Sequence, residues 1–243
     1  MTTTKPQLRL IWRYVVLGLL LAGLVGYGLF RDRFEPWDSV AAAYDVHGID
    51  VSHYQGKINW NKVEKAGVQF AFIKATEGKS IVDPRFARNW KQARKHNILR
   101  GAYHFYRPSV HSEEQARLFL SKVQVKPGDL PPVLDLEVTD GRSPAIIRKG
   151  VRNWMRIVEK ETGVRPILYT MPRFADDYLG DALGEYPLWV ASLRRRKPQV
   201  PRAWKHWTFW QFTHHGRVKG ISGDVDRNYF PGTPEELRAL RAK

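Results

Sequence analysis

Apolar and polar positions fall into two regimes along the 243 residues. From Tyr14 to Phe30 the chain is apolar and uncharged, rich in Leu, Val and Gly, with no face set aside for polar residues. Beyond residue 45 the pattern breaks into short apolar runs with β-branched and aromatic content. These are His47–Val51, Gln69–Ala75, Leu99–Phe105, Val133–Glu137, Pro166–Thr170, Leu188–Ala191 and Thr208–Phe212, and each predicts a strand. Between them, Pro84–His96, Ser112–Val123 and Pro144–Thr162 carry helical patterns, several opened by Ser, Asp or Pro. Strands alternating with helices over about 200 residues predict a parallel sheet, either a closed β/α barrel or an open doubly wound sheet.

Polar residues favour the barrel. Asp50, Glu77, His104, Asp135, Glu137, Tyr169 and Gln211 each fall at the C-terminal end of an expected strand, where barrel enzymes assemble their sites. No GxGxxG follows the first strand and no GxxxxGK[ST] occurs, which removes the usual nucleotide-binding signals. The expected fold class is α/β: a modified, TIM-like β/α barrel preceded by one N-terminal transmembrane helix.

The apolar segment sets the expected organisation: a cytoplasmic tail at 1–9, a transmembrane signal-anchor at 10–30, a stalk at 31–44 and a catalytic barrel at 45–243. Lys5, Arg9 and Arg13 precede the run, whereas Arg31 and Arg33 are partly offset by Asp32 and Glu35. That asymmetry places the N-terminus in the cytoplasm and the barrel outside it, at the bacterial inner membrane, with the membrane itself a partner. A cleavable signal peptide is the rival, because Ala41–Ala43 offers small residues. It is disfavoured by the charged residues between them and the apolar run.

Composition narrows the partners. The chain has no cysteine, which excludes disulfides, thiolate metal sites and a cysteine nucleophile. A formal charge of +16 implies an anionic partner or surface. Nucleic acid is not expected, since the basic residues are scattered and no recognition-helix motif appears. The densest basic run, Arg194–Lys205, contains two prolines and no apolar periodicity, so it reads as a loop.

Chemistry concentrates in Pro131-Pro132-Val133-Leu134-Asp135-Leu136-Glu137. Two acids two positions apart on a strand project to one face, roughly 6.5 to 7 Å apart along the backbone. Neighbouring like charges raise the proton affinity of one carboxyl, which keeps a general acid protonated near neutral pH beside an ionised partner. Glycosidic cleavage requires such a pair, but a lone D-x-E also fits a metal site or a solvated strand end. No His-x-x-x-His or clustered ligand spacing supports a metal, and no cofactor is expected. The backbone spacing lies between the carboxyl separations of retaining and inverting enzymes and leaves both open.

The assembled motifs resemble the glycoside hydrolase family 25 lysozymes, the Chalaropsis-type N,O-diacetylmuramidases. The resemblance covers nearly all of residues 45–243. It rests on Gly48-Ile49-Asp50-Val51-Ser52 with Gln55-Gly56, Lys74-Ala75-Thr76-Glu77-Gly78 and Gly101-Ala102-Tyr103-His104-Phe105. Asp135-Leu136-Glu137, Leu168-Tyr169-Thr170, Trp210-Gln211-Phe212 and Gly223-Asp224-Val225-Asp226 complete it. It implies hydrolysis of the β-1,4 bond between N-acetylmuramic acid and N-acetylglucosamine in peptidoglycan glycan strands, in cell-wall remodelling. It also implies Glu137 as general acid, Asp135 as its partner, and Asp50 and Asp226 as the remaining acids, Asp226 being preferred to Asp224. Tyr103, Tyr169 and Trp189 are candidates for sugar stacking or for core packing. Gln211 is expected to hydrogen-bond within the floor, Glu77 to line the groove or brace the scaffold, and His104 to be a satisfied barrel histidine. The alternative function is a tethered, catalytically silent glycan-binding module.

Overall fold

A computed structural model describes residues 44–193 and 197–243. β1 (Val46–Val51) lies parallel to β2 (Phe70–Glu77), whose end carries a two-residue hairpin strand, β3 (Ile81–Val82). Parallel pairing continues through β4 (Leu99–Phe105), β5 (Val133–Asp135), β6 (Ile167–Thr170), β7 (Leu188–Ala191) and β8 (Phe209–Gly216). β9 (Val225–Phe230) then runs antiparallel to both β8 and β1 and closes the ring. The result is an eight-stranded barrel with one reversed strand, β3 standing outside it.

Helices cover the outside: α1 (Trp60–Lys65), α2 (Phe86–Lys95), α3 (Ser112–Lys122), α4 (Pro144–Thr162), the short α5 (Pro172–Phe174) running into a π turn at Ala175–Leu179, and α6 (Pro234–Ala239). In α4 the sequence logic is plain. Pro144 opens the first turn, where its missing N–H costs nothing. Ile147, Val151, Trp154, Met155 and Val158 then form one buried stripe, each contributing about 1.5–3 kcal/mol by leaving water. Gly163 ends the helix at φ 68°, a conformation glycine adopts without strain. Between β7 and β8 the described residues form a loop, in keeping with the proline-rich basic run; Arg194–Arg196 of that run lie outside the described residues.

Side chains alternate along a strand, so every second residue enters the barrel. Upward along β1 these are Val46, Gly48 and Asp50; along β2, Phe70, Phe72 and Lys74; along β4, Leu99, Gly101 and Tyr103. β5 supplies Val133 then Asp135, β6 Ile167 then Tyr169, and β8 Phe209 then Gln211. Because β9 is reversed it reads in the opposite order: Asp226, Asn228, Phe230. The lower positions make one buried cluster that includes Val46, Phe70, Phe72, Val133, Ile167, Phe209 and Phe230. Gly101 leaves room for it, since a Cβ there would stand 2.6 Å from the Phe72 ring. The upper positions are polar, and they crown this apolar plug at the end where the parallel strands terminate.

One expectation requires correction. Among the described residues no helix is long and apolar enough to cross a membrane. The 19-residue α4 has the length, but Arg148, Lys149, Arg152, Arg156 and Lys160 occupy its outer face. The transmembrane helix, the membrane as a partner and the single-pass inner-membrane location therefore form no part of this description. The segment 10–30 that prompted them, with the tail 1–9 and the stalk up to residue 43, lies outside the described residues. Tyr44, which the expected boundaries assign to the stalk, packs its ring 5.3 Å from that of Tyr229 and 5.6 Å from that of Trp207.

Candidate active site

Four acids meet at the upper end of the barrel. Asp50, near the end of β1, is the direct register partner of Asp226, near the start of β9. Strand reversal brings these two together: the first turn of an antiparallel strand lies at the same barrel end as the last turn of a parallel one. Asp135 ends β5, in register with Tyr169 on β6. The chain continues straight enough for the Leu136 N–H to donate to the Tyr169 carbonyl at 3.0 Å, so Glu137 returns to the face of Asp135. Asp50 and Asp135 are almost fully buried, while Glu137 and Asp226 are half-buried and face the opening.

An ordered amide network holds Asp50. Its Oδ2 accepts from Gln211 Nε2 at 3.0 Å and from Asn228 Nδ2 at 2.8 Å. The orientation of both amides is fixed by their other partners. Trp189, whose indole nitrogen can only donate, gives its N–H to Asn228 Oδ1 at 2.8 Å, and the Tyr169 hydroxyl donates to Gln211 Oε1 at 2.9 Å. With Oδ2 committed as an acceptor, a proton on Asp50 belongs on Oδ1.

Burial dominates the electrostatics. It pushes the Asp50 carboxyl well above the usual range, Asp226 adds to the shift, and the two amide donors pull against it. Burial likewise raises Asp135 well above the usual range, reinforced by Glu137 and Asp50 and opposed by the Lys74 ammonium. Glu137 is raised by burial too, moderated first by a hydrogen bond with Asp135 and then by the polar surroundings that Tyr169 and His214 provide. Both members of the Asp135–Glu137 pair therefore hold a proton to higher pH than an ordinary carboxyl, and Glu137 is the member with access to the opening. One oxygen of Asp135, Oδ1, is buried without a hydrogen-bond partner.

The remaining expected residues fall in different places. The Tyr103 side chain is half-buried and is raised well above the ordinary phenol range, first by burial and then by Asp50, Asp135, Asp226 and Asp83, so its hydroxyl faces the cluster. The Tyr169 ring stands edge-on to Trp189 at 4.5 Å, and Trp189 stacks on Phe72 at 4.5 Å; both are buried, and their polar atoms serve the amide network. Glu77 stands apart from the acids, its carboxylate 2.7 Å from Lys74 Nζ and 3.9 Å from Arg107 Nη1. His104 points outward beneath α3 and α4, between Thr76 at 2.7 Å and Gln115 at 3.0 Å, and burial pushes it down to about 4, so it is a neutral structural histidine. Among the described residues no three His, Cys, Asp or Glu side chains are placed to hold a metal ion.

Three neighbours of the acids escaped the sequence reading. Asn228 shares a face with Asp226 by alternation along β9, a strand that the sequence pattern did not announce. Lys74 lies two positions above Phe72 on the inward face of β2. His214, whose Nδ1 is 2.8 Å from Asp226 Oδ1, follows a register shift in β8 that breaks the alternation counted from Gln211.

A β/α barrel with four carboxyls gathered at its C-terminal mouth, two of them on one strand end, is an arrangement suited to a glycoside hydrolase. Comparison with known proteins narrows the class. The chain belongs to glycosyl hydrolases family 25, whose family model matches residues 49–221, and it is an enzyme of the lysozyme type. The uncharacterized protein YegX of Escherichia coli K12 is 47% identical over 206 residues, covering 83% of this chain and 75% of YegX. Lysozyme M1 of Streptomyces globisporus is 41% identical over 208 residues, covering 80% of this chain and 71% of that one. Among solved structures, the bacterial lysozyme of Streptomyces coelicolor superposes with a TM-score of 0.78 at 39% identity, over 81% of this chain and 97% of its own.

Proposed function

We propose that the barrel of residues 45–243 is a muramidase of the N,O-diacetylmuramidase type, hydrolysing the β-1,4 bond between N-acetylmuramic acid and N-acetylglucosamine in peptidoglycan during cell-wall remodelling. The observation that carries this reading is the Asp135–Glu137 pair at the end of one strand, one carboxyl buried and the other open to the cleft. Glu137 gives its proton to the glycosidic oxygen as the bond to the anomeric carbon breaks. Asp135, beneath it, supports the positive charge that develops on the sugar, using the oxygen that has no protein partner. Water then adds its hydroxyl to the anomeric carbon and returns a proton to the cluster. Asp50 and Asp226 complete the anionic floor. Tyr103 offers the half-buried ring against which an apolar sugar face packs.

The test is digestion of purified peptidoglycan by the full chain beside Glu137→Gln, with mass analysis of released fragments. Fragments ending in reducing N-acetylmuramic acid, reduced in the variant by about 10²–10⁴-fold, are expected. Absence of fragments from the folded wild-type protein on several wall types would replace the muramidase with the silent glycan-binding module.

A further inference from the structure

His214 adds an ionisable ring to the acids and amides of the mouth, beside Asp226, while the Lys74 ammonium bears on Asp135. The His214 Nδ1 lies 2.8 Å from Asp226 Oδ1, and its side chain is 46% exposed against 30% for Asp226. Asp226 is in turn the register partner of Asp50. The pair therefore sits where solvent meets the buried acids, and it joins the mouth of the barrel to the Trp189–Asn228–Asp50 network.

We propose that His214 is a positioning residue: as an imidazolium bound to Asp226 it fixes that carboxylate against Asp50, and its charge, facing Glu137, makes the general acid readier to release its proton. The proposal rests on the muramidase reading for its effect on the reaction, but the His214–Asp226 pair itself does not.

Every charged neighbour bears on this assignment. From β9 comes Asp226, and from the segment after β5 comes Glu137; both favour the protonated ring, which is accordingly raised above the ordinary histidine range, the Asp226 hydrogen bond being the main cause. Partial burial opposes them. On the same hairpin, His215 and Arg217 contact Asp224, at 3.0 and 2.9 Å, so that acid is engaged by two other side chains. By reciprocity, the His214 charge lowers the proton affinity of Glu137, against the burial that raises it. Asp50 completes the logic: its Oδ2 accepts two amide N–H groups, which leaves Oδ1 to carry a proton toward Asp226. Asp226 is thus flanked by His214 on one side and by its register partner Asp50 on the other.

Two measurements on the full chain test this. The first follows the His214 ring nitrogens by NMR against pH in the wild type and in Asp226→Asn, and needs no catalysis. A midpoint above the ordinary histidine range in the wild type, falling in Asp226→Asn, is expected; the same ordinary midpoint in both overturns the proposal. The second compares pH profiles of kcat/KM on soluble peptidoglycan fragments for the wild type, His214→Asn and His214→Lys. The alkaline limb should move to higher pH in His214→Asn, with kcat down on the order of tenfold, and return toward the wild-type position when Lys restores the charge. A uniform loss with an unmoved limb in both variants, at unchanged thermal stability, would reduce His214 to a structural residue. If the NMR result holds while no variant or wild type cleaves glycan, the muramidase reading fails and the charge pairing stands.

Discussion

Trp189 donates its indole N–H to Asn228 Oδ1 at 2.8 Å, and Asn228 donates onward to Asp50 at the same distance. A residue in the apolar plug thus dictates which oxygen of an acid at the mouth can be protonated. Trp189→Phe keeps an aromatic ring on Phe72 but strands the Asn228 carbonyl oxygen without its donor. An unsatisfied buried acceptor costs about 1–3 kcal/mol, which for a domain of about 200 residues lowers Tm by roughly 2–12 °C. Thermal unfolding measures it. Glycan cleavage should fall as well, because Asp50 loses its fixed partner; a variant with full activity and unchanged Tm would deny the network its role.

The buried acids are expected to cost stability at neutral pH. Asp135 and Glu137 are both raised in the folded state, mainly by burial, so between the ordinary carboxyl range and the raised positions the native pair binds protons that the unfolded chain has released. Stability from each group is complete below the unfolded value and is lost as pH rises through the folded one. Asp135→Asn removes its share of that loss. Its Tm should exceed that of the wild type at pH 7, with the difference closing as pH falls toward 4. A variant less stable than the wild type at pH 7, with unchanged structure, would contradict the electrostatic account.

Sequence reading reached the fold through the parallel strands and stopped at the reversed one. In β2 or β5, inward residues run from apolar to polar within a few positions, and the apolar start announces a strand. β9 reads Val-Asp-Arg-Asn-Tyr-Phe: it begins at the polar mouth, and its first two inward residues are Asp226 and Asn228. Nothing in that run distinguishes it from a polar loop, so Asp226 entered only through the family motif. Trp189 shows the complementary limit. An aromatic at a strand end fits a sugar platform or a core layer equally well until the neighbouring Phe72 covers its face. Glu77 sits at a strand end like the acids of the cluster, yet the bulge in β2 between Lys74 and Thr76 turns it toward Arg107.

At the lower end of the barrel, Arg100 and Asp129 form an ion pair at 2.7 Å, with side chains only 6% and 3% exposed. The guanidinium lies 3.9 Å over the Trp90 ring and also donates to the Trp90 carbonyl. Truncating one partner leaves the other charge buried, which costs about 3–5 kcal/mol. Asp129→Ala should therefore lower the denaturation midpoint strongly, and Asp129→Asn, which keeps an acceptor, less so. Equal losses in the two variants would assign the effect to packing, with no contribution from the stranded charge.

Glu77 poses the sharpest choice between a substrate contact and a brace. Its carboxylate is 22% exposed and is engaged by Lys74 at 2.7 Å, while Lys74 also lies 5.1 Å over the Phe105 ring and lowers the proton affinity of Asp135. Glu77 acts on this geometry through Lys74: it holds the ammonium beneath the acid pair. Glu77→Gln keeps the shape and a hydrogen-bond acceptor but releases the ion pair, so kcat should fall a few-fold, on the order of 1 kcal/mol in the barrier, at constant KM. Lys74→Met removes the positive charge that opposes the rise of Asp135 and should cost kcat more, on the order of tenfold. A Glu77→Gln variant with raised KM and unchanged kcat would instead mark a residue that binds glycan equally in the ground and transition states. The two variants together separate the roles, because a direct sugar contact at Glu77 would leave Lys74→Met with a different signature, whereas a brace makes Glu77→Gln a weaker copy of Lys74→Met.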